Sequence, residues 1–321
     1  MNISTHITLP SRRSTVSEPS GNSEVAPDEK VLGQYIPLLY HYNMLQDNDR
    51  VGAFQEAIHL LVQPDMHVVE LGGGTGILSS FAARRGAQVT CVERNPELVA
   101  TSRRFLAANG LSESVQVVQA DAAKFVPDRP VDVVVCEMLH VGLLREKQAH
   151  VIESFKRNYR RAMSTRLPGA VKLPVFVPEV SVLMVQLVEQ SFDFAGFYAP
   201  VPMFQPPLHH QERTIEMSDL QPYANIAYES LIPQHFSVSQ RHQPRGAGHV
   251  NAIRLITQNI LAVDEPAQRA ITWPNQCLVL PLQQPFDIAS DQFVQVEFKY
   301  TAGDTIEVLQ ESLRVQRLLI N

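Results

Sequence analysis

One tryptophan, three cysteines and no long apolar run stand in this 321-residue chain, and each shortage excludes something. Cys91, Cys136 and Cys277 sit singly in apolar, strand-like runs. They have no metal-type spacing and read as reduced core residues of a cytoplasmic protein. No stretch is apolar for long enough to span a bilayer. No apolar segment near the start has the form of a secretory signal. No internal repeat appears, which sets aside solenoids and propellers. Positive charge is short as well, with 27 Lys and Arg against 33 Asp and Glu. The resulting net charge of −6 argues against a surface that coats phosphates, so a nucleic-acid partner is not expected. The histidines are scattered. The one adjacent pair, His209–His210, falls in a proline-rich loop and reads as solvated, so no metal is expected.

The remaining composition is that of a folded protein. Apolar residues make up 45% of the chain, enough for a packed core. Residues 1–30 lack apolar periodicity, are rich in Ser, Thr, Pro and Glu, and are expected to be disordered. Residues 31–167 alternate short apolar runs with helical patterns, as a parallel α/β sheet requires. Near Leu167–Pro168–Gly169 the character changes. From there to residue 321 prolines cluster and period-2 alternation takes over, clearest at 180–188 and 293–300. A second, antiparallel β domain is expected there, sandwich or barrel, with a loop-rich excursion at about 191–245. The segment TAGD at 301–304 is read as a hairpin turn leading into a strand at 305–309.

The chemistry starts at residues 67–76, HVVELGGGTG. An apolar run carrying Glu70 meets three glycines, and the helical pattern ILSSFAARRGA follows. Strand, glycine turn and helix start together form a place where backbone N–H groups can meet a ligand closely. A second apolar run ends at Glu93, where an acid that hydrogen-bonds ribose hydroxyls should sit. Dinucleotide binders and methyltransferases share such a turn. The acid ahead of the first glycine, the spacing Glu70, Gly72, Gly74, Gly76, and Leu78 where a dinucleotide site prefers glycine all favour the methyltransferase. An apolar strand at 131–136 then ends at Glu137, and Glu146 follows past MLHVGLLR. Two carboxylates on one loop at a sheet edge can clamp a planar guanidinium. On spacing alone, Glu146 could equally be an acid favoured by a helix start, and Glu137 a lone general base.

The combination resembles the protein arginine methyltransferases, a family of class I S-adenosylmethionine-dependent enzymes. MLQDNDR at 44–50 matches the family's N-terminal helix pattern, 70–87 its cofactor motif, and Glu137 with Glu146 its loop of two glutamates. The approach YHYNMLQDNDR is nearest to the monomethylating, tandem-domain branch. The resemblance spans residues 31–316, by specific motifs in the first half and loosely in the second. It implies a Rossmann-like methyltransferase domain followed by an antiparallel, barrel-like β domain, with S-adenosyl-L-methionine as cofactor. Arg50 would meet the cofactor's carboxylate, with Met44 packed nearby. Glu70, Gly72, Gly74 and Gly76 would form the cofactor floor, Glu93 would take the ribose, and Asp121 with Ala122 would lie beside the adenine. Glu137 and Glu146 would hold the acceptor, and Trp273 would line its entrance. The implied acceptor is arginine in a protein, or a free small guanidino compound, and the implied assembly a homodimer. The sequence departs from the pattern at Thr272, where the family has histidine, at Leu139, and at His140–Val141. The dimerisation arm is not identifiable. Two other readings stand beside this one: a methyltransferase with another acceptor, and a non-catalytic protein using the fold as a scaffold. CEML at 136–139, in place of an Asn/Asp-Pro-Pro-aromatic tetrapeptide, speaks against base methylation.

Overall fold

The computed structural model describes residues 38–166, 169–207 and 211–318. The expectation for residues 1–30 and that for His209–His210 lie outside the described residues.

The chain opens with helices α1 (Leu38–Met44) and α2 (Asn48–Leu61). Asp47 caps α2, its side chain accepting from the Arg50 N–H at 2.9 Å. Then follow β1 (His67–Leu71), α3 (Ile77–Arg84), β2 (Gln88–Glu93), α4 (Pro96–Ala108), β3 (Val115–Gln119), β4 (Val133–Cys136), α5 (Gln148–Ser164) and β5 (Val175–Val177). The five strands form one parallel sheet in the order β3-β2-β1-β4-β5. β1 is buried at every position, as expected of an unbroken apolar run between two neighbours. β2 and β4 flank it, so the loops leaving β1 and β4 diverge over the sheet's carboxyl edge. That divergence is where open α/β sheets hold ligands.

α5 begins at Gln148, past Glu146. Leu143 and Arg145 have left-handed backbones, φ 54° and 62°, and these keep the chain out of the helix until Lys147. Glu146 therefore lies on the loop before α5 rather than in its first turn.

The second half is antiparallel. Its strands are β6 (Val180–Gln190), β7 (Asp193–Phe194), β8 (Phe197–Tyr198), β9 (Met203–Gln205), β10 (Thr214–Glu216), β11 (Gln221–Ala227), β12 (His235–His242), β13 (Gly248–Asp264), β14 (Arg269–Pro274), β15 (Cys277–Ile288), β16 (Phe293–Thr301) and β17 (Arg314–Leu318), with α6 (Ile306–Ser312) before the last. A seven-stranded sheet runs β10-β6-β13-β15-β9, with β11 on β6 and β14 on β13. A three-stranded sheet, β12-β16-β17, accompanies it. Among the described residues no pairing closes either sheet into a ring.

Two expectations are corrected here. Residues 191–245 supply six strands, four of them in the larger sheets, so the prolines there punctuate short strands rather than a loop excursion. The strand expected at 305–309 is helix α6. Its β-branched residues invited the strand reading, but Ile306 and Leu309 are the buried pair while Val308 faces out, and an i, i+3 spacing belongs to a helix.

One apolar core runs from Val68 and Val134 through Leu143 and Leu144 to Leu183 and Leu255, so both halves share it. The three cysteines are buried and unpaired. No helix among the described residues is long and apolar enough to cross a membrane.

Candidate functional site

The cleft over the carboxyl edge of the parallel sheet is lined by Met44, Arg50, Glu70, Gly72, Gly74, Glu93, Asp121, Ala122, Glu137 and Glu146. Ten of the twelve residues expected at the site are thus gathered in one place. Gly76 and Trp273 are not. Gly76 caps α3 with its backbone in the left-handed region, and a Cβ there would meet Leu106 of α4 at 3.3 Å. Its task is to join helix to helix. Trp273, on β14, packs its ring 6.1 Å from that of Phe54 on α2.

The glycine loop is held by carboxylates from below. Glu70 is buried at the end of β1 and accepts from the Ser79 N–H at 2.8 Å and from the Ser79 hydroxyl. Burial raises its pKa to about 7, against the pull of those two bonds. Glu93 accepts from Gly74 N at 2.9 Å and from Asn95 N at 2.7 Å, one backbone group on each oxygen. Each oxygen keeps a further lone pair, so ribose hydroxyls can still donate to it. Gly73, which the spacing argument passed over, is the most constrained of the run. A Cβ there would lie 2.1 Å from the Cys91 sulfur. Asp121 stiffens the next loop by accepting from Ala123 N at 2.9 Å.

Sequence reasoning missed His41 and Leu45, which line the same cleft from α1 and the turn after it. The signal was present: His41 and Met44 are three residues apart, on one face of a helix. The His41 ring lies against Gly74, where a Cβ would meet its Nδ1 at 3.2 Å. Burial lowers its pKa, so the ring meets the cleft as a neutral imidazole near pH 7.

The opposite wall carries the two loop glutamates. Glu137 receives the Arg50 guanidinium: Nε donates to Oε2 at 3.0 Å, and Nη2 donates to the same oxygen. Both partners are nearly closed off from solvent. Burial opposes the charge on Arg50, but the Glu137 charge and hydrogen bond outweigh it and leave its pKa raised. Both bonds fall on Oε2, so Oε1 can still accept from another cation. Glu146 lies in the same wall, and its carboxyl is raised to about 8, first by burial and then by the Glu137 charge, with Arg50 and Arg145 opposing. A second cation entering beside Arg50 would meet one carboxylate already charged and one waiting to be.

Residues 68–161 match the family model of a methyltransferase domain. Over nearly its whole length the chain is similar to an uncharacterised protein of Methanocaldococcus jannaschii, 24% identical over 85% of this chain and 96% of that protein. A shorter stretch is similar to the arginine N(omega)-methyltransferase of Streptomyces achromogenes subsp. streptozoticus, 30% identical over 42% of this chain and 38% of the relative. Among solved structures, the Trypanosoma brucei arginine methyltransferase enzyme–prozyme heterotetramer with S-adenosylhomocysteine superposes with a TM-score of 0.65 at 17% identity, covering 87% of this chain and 96% of that one. The chain carries a methyltransferase domain, and its fold is arginine-methyltransferase-like.

Methyltransferases of this class take their methyl group from S-adenosylmethionine, and the cleft fits that molecule on three counts. The glycine loop leaves its floor open to close approach. Glu93 stands at the end of β2 with acceptor capacity to spare. Arg50 is a buried cation beside Met44 and Glu70, where a carboxylate could reach it. Among the described residues no three His, Cys, Asp or Glu side chains cluster as a metal ion would require.

Proposed function

We propose that the protein transfers a methyl group from S-adenosylmethionine to a terminal nitrogen of an arginine-type guanidino group, carried by a protein or by a small molecule. The observation that carries this reading is the pair Glu137 and Glu146, both lining the cofactor cleft from one loop. Glu137 already holds one guanidinium, that of Arg50, by two N–H groups, which is the chemistry an acceptor would use. The similarity to an arginine N(omega)-methyltransferase points the same way.

When bound, S-adenosylmethionine supplies an electrophilic methyl group on a sulfonium. Glu93 and the glycine loop fix the donor's nucleoside end, and Arg50 its amino-acid end. Glu137 and Glu146 would fix the plane of the acceptor, leaving one of its terminal nitrogens free to take the methyl group. Alignment of that kind accounts for roughly 7–11 kcal/mol of barrier reduction in well-oriented pairs. The two carboxylates also stabilise the positive charge that moves onto the acceptor. Glu146, whose pKa burial raises to about 8, is a stronger base than an exposed glutamate and takes the proton that leaves the nitrogen.

A radiolabelled methyl-transfer screen tests the reading, setting free arginine and other guanidino compounds against an Arg-rich peptide and RNA. Label on RNA, with none on any guanidino compound, would refute it. The same reading includes a homodimer, supported by the exposed rings of Phe197 and Tyr198 on β8. A monomeric mass by light scattering at micromolar concentration would remove that part.

A further inference from the structure

Gln148 has no role in the chemistry above, yet its side chain is completely buried at the start of α5. Its Oε1 accepts from the Met138 N–H at 2.9 Å, and its Nε2 donates to the Cys136 carbonyl at 2.8 Å. Those backbone groups belong to the two peptide units on either side of Glu137. The pairing of β4 with β1 ends at Cys136, and with β5 at Val135. Glu137 therefore stands one residue past the ladder, where the strand no longer fixes its backbone. The Gln148 amide replaces the missing neighbour: a planar group with one donor and one acceptor, as the next strand would have offered.

The far side of the loop is held in the same manner. Asn275 donates to the Leu139 carbonyl at 3.2 Å, and Gly142 N donates to the Thr257 hydroxyl at 2.8 Å. Asn275 also accepts from Asn259 at 2.8 Å, Asn259 accepts from Ser181 at 2.6 Å, and Ser181 meets the Tyr228 hydroxyl at 2.9 Å. Burial raises the Tyr228 hydroxyl, opposed first by its bond to Ser181. The loop is thus fixed at both ends by side chains rather than by strand pairing.

We propose that Gln148 is a positioning residue that aims the Glu137 carboxylate, by locking the peptide units before and after it. Its kinetic consequence rests on the guanidino-transfer reading; its geometric consequence does not. Only a side chain with a donor and an acceptor at this reach serves. Methionine matches the shape and offers neither. Asparagine offers both, one methylene short.

The test uses the full chain, with Gln148→Met and Gln148→Asn made in the wild type and in Glu137→Gln. Methyl transfer to free L-arginine and to an Arg-rich peptide is measured, with S-adenosylmethionine affinity by calorimetry. A misplacement on the order of 1 Å can cost about a hundredfold, so Gln148→Met should lower kcat by about tenfold or more with cofactor affinity within about twofold. In the Glu137→Gln background the same change should cost less than about twofold, because the carboxylate to be aimed is gone. An equal loss in both backgrounds means a merely structural role and overturns the proposal. If Gln148→Met does not fold, Gln148→Asn carries the cycle; it should fall closer to the Met value than to wild type, and wild-type kcat there overturns the proposal. If the wild type methylates neither probe, the acceptor reading fails, and crystal structures decide the positioning. A Glu137 carboxylate displaced from Arg50 in the better-folded variant upholds it, and an unmoved one overturns it.

Discussion

Replacing Glu146 by glutamine should raise stability and destroy activity, and pH separates the two effects. The carboxyl is buried, and its pKa stands at about 8 against the usual 4.5. Between those values the folded protein holds a proton that the unfolded chain has released. Stability is therefore fully present below about pH 4.5 and is lost as pH rises through 8. At about 1.4 kcal/mol for each pH unit, the loss has a ceiling of about 5 kcal/mol. Glutamine keeps the shape and has no proton to lose, so Glu146→Gln should gain on the wild type as pH rises from 5.5 to 8.5. Glu70, raised to about 7 by burial, titrates in both proteins and cancels in the difference. The clamp needs the charge, so methyl transfer should fall by about a hundredfold or more, as when one preorganised electrostatic partner is removed. Cofactor affinity should stay put. In the wild type, kcat/KM should climb through about pH 8 as Glu146 ionises in the free enzyme. Urea unfolding at the two pH values and a radiolabel assay read these quantities. A variant that gains nothing at pH 8.5 refutes the buried carboxyl; one that transfers methyl groups at the wild-type rate refutes the clamp.

Two further changes probe the donor side. Glu93→Ala removes the acceptor of two backbone N–H groups and of the ribose, and should weaken S-adenosylmethionine binding by roughly 1–3 kcal/mol; unchanged affinity by calorimetry would place the ribose elsewhere. Gly73→Ala forces a methyl group against the Cys91 sulfur and should cost about 1–3 kcal/mol of stability, as overpacked cores do. Thermal melting should show part of that loss recovered in Gly73→Ala with Cys91→Ala, and no recovery would mean that the clash is not the cause.

The donor half was legible because its signals are local. The bounds of β1, α4 and β3 fall where apolar runs and caps put them. Eight expected donor-side residues meet in the cleft, and at its centre the glycine motif fixes loop, acid and strand end within a few positions. The acceptor half was legible only in part. Glu137 and Glu146 were visible as spacing, but the left-handed residues that hold Glu146 off α5 leave no mark in composition. Asn275, two residues beyond Trp273, proved to be one of the β-domain residues that grip the loop, and nothing about an asparagine in a turn announces a partner more than a hundred positions earlier. The strands within 191–245 were hidden by their brevity. A pairing of three residues, such as β9 on β15, carries too little alternation to stand out from a loop.

The grip of β13 and its neighbours on the Glu137–Glu146 loop also sets an order of events during synthesis. A chain growing from its amino end completes the parallel sheet at Val177, and with it the glycine loop, Glu93 and Arg50. Thr257 and Asn275, which hold the far side of the loop, leave the ribosome only later. Until then the loop between the two glutamates lacks two of its partners, so its shape is among the last features of the cleft to be fixed.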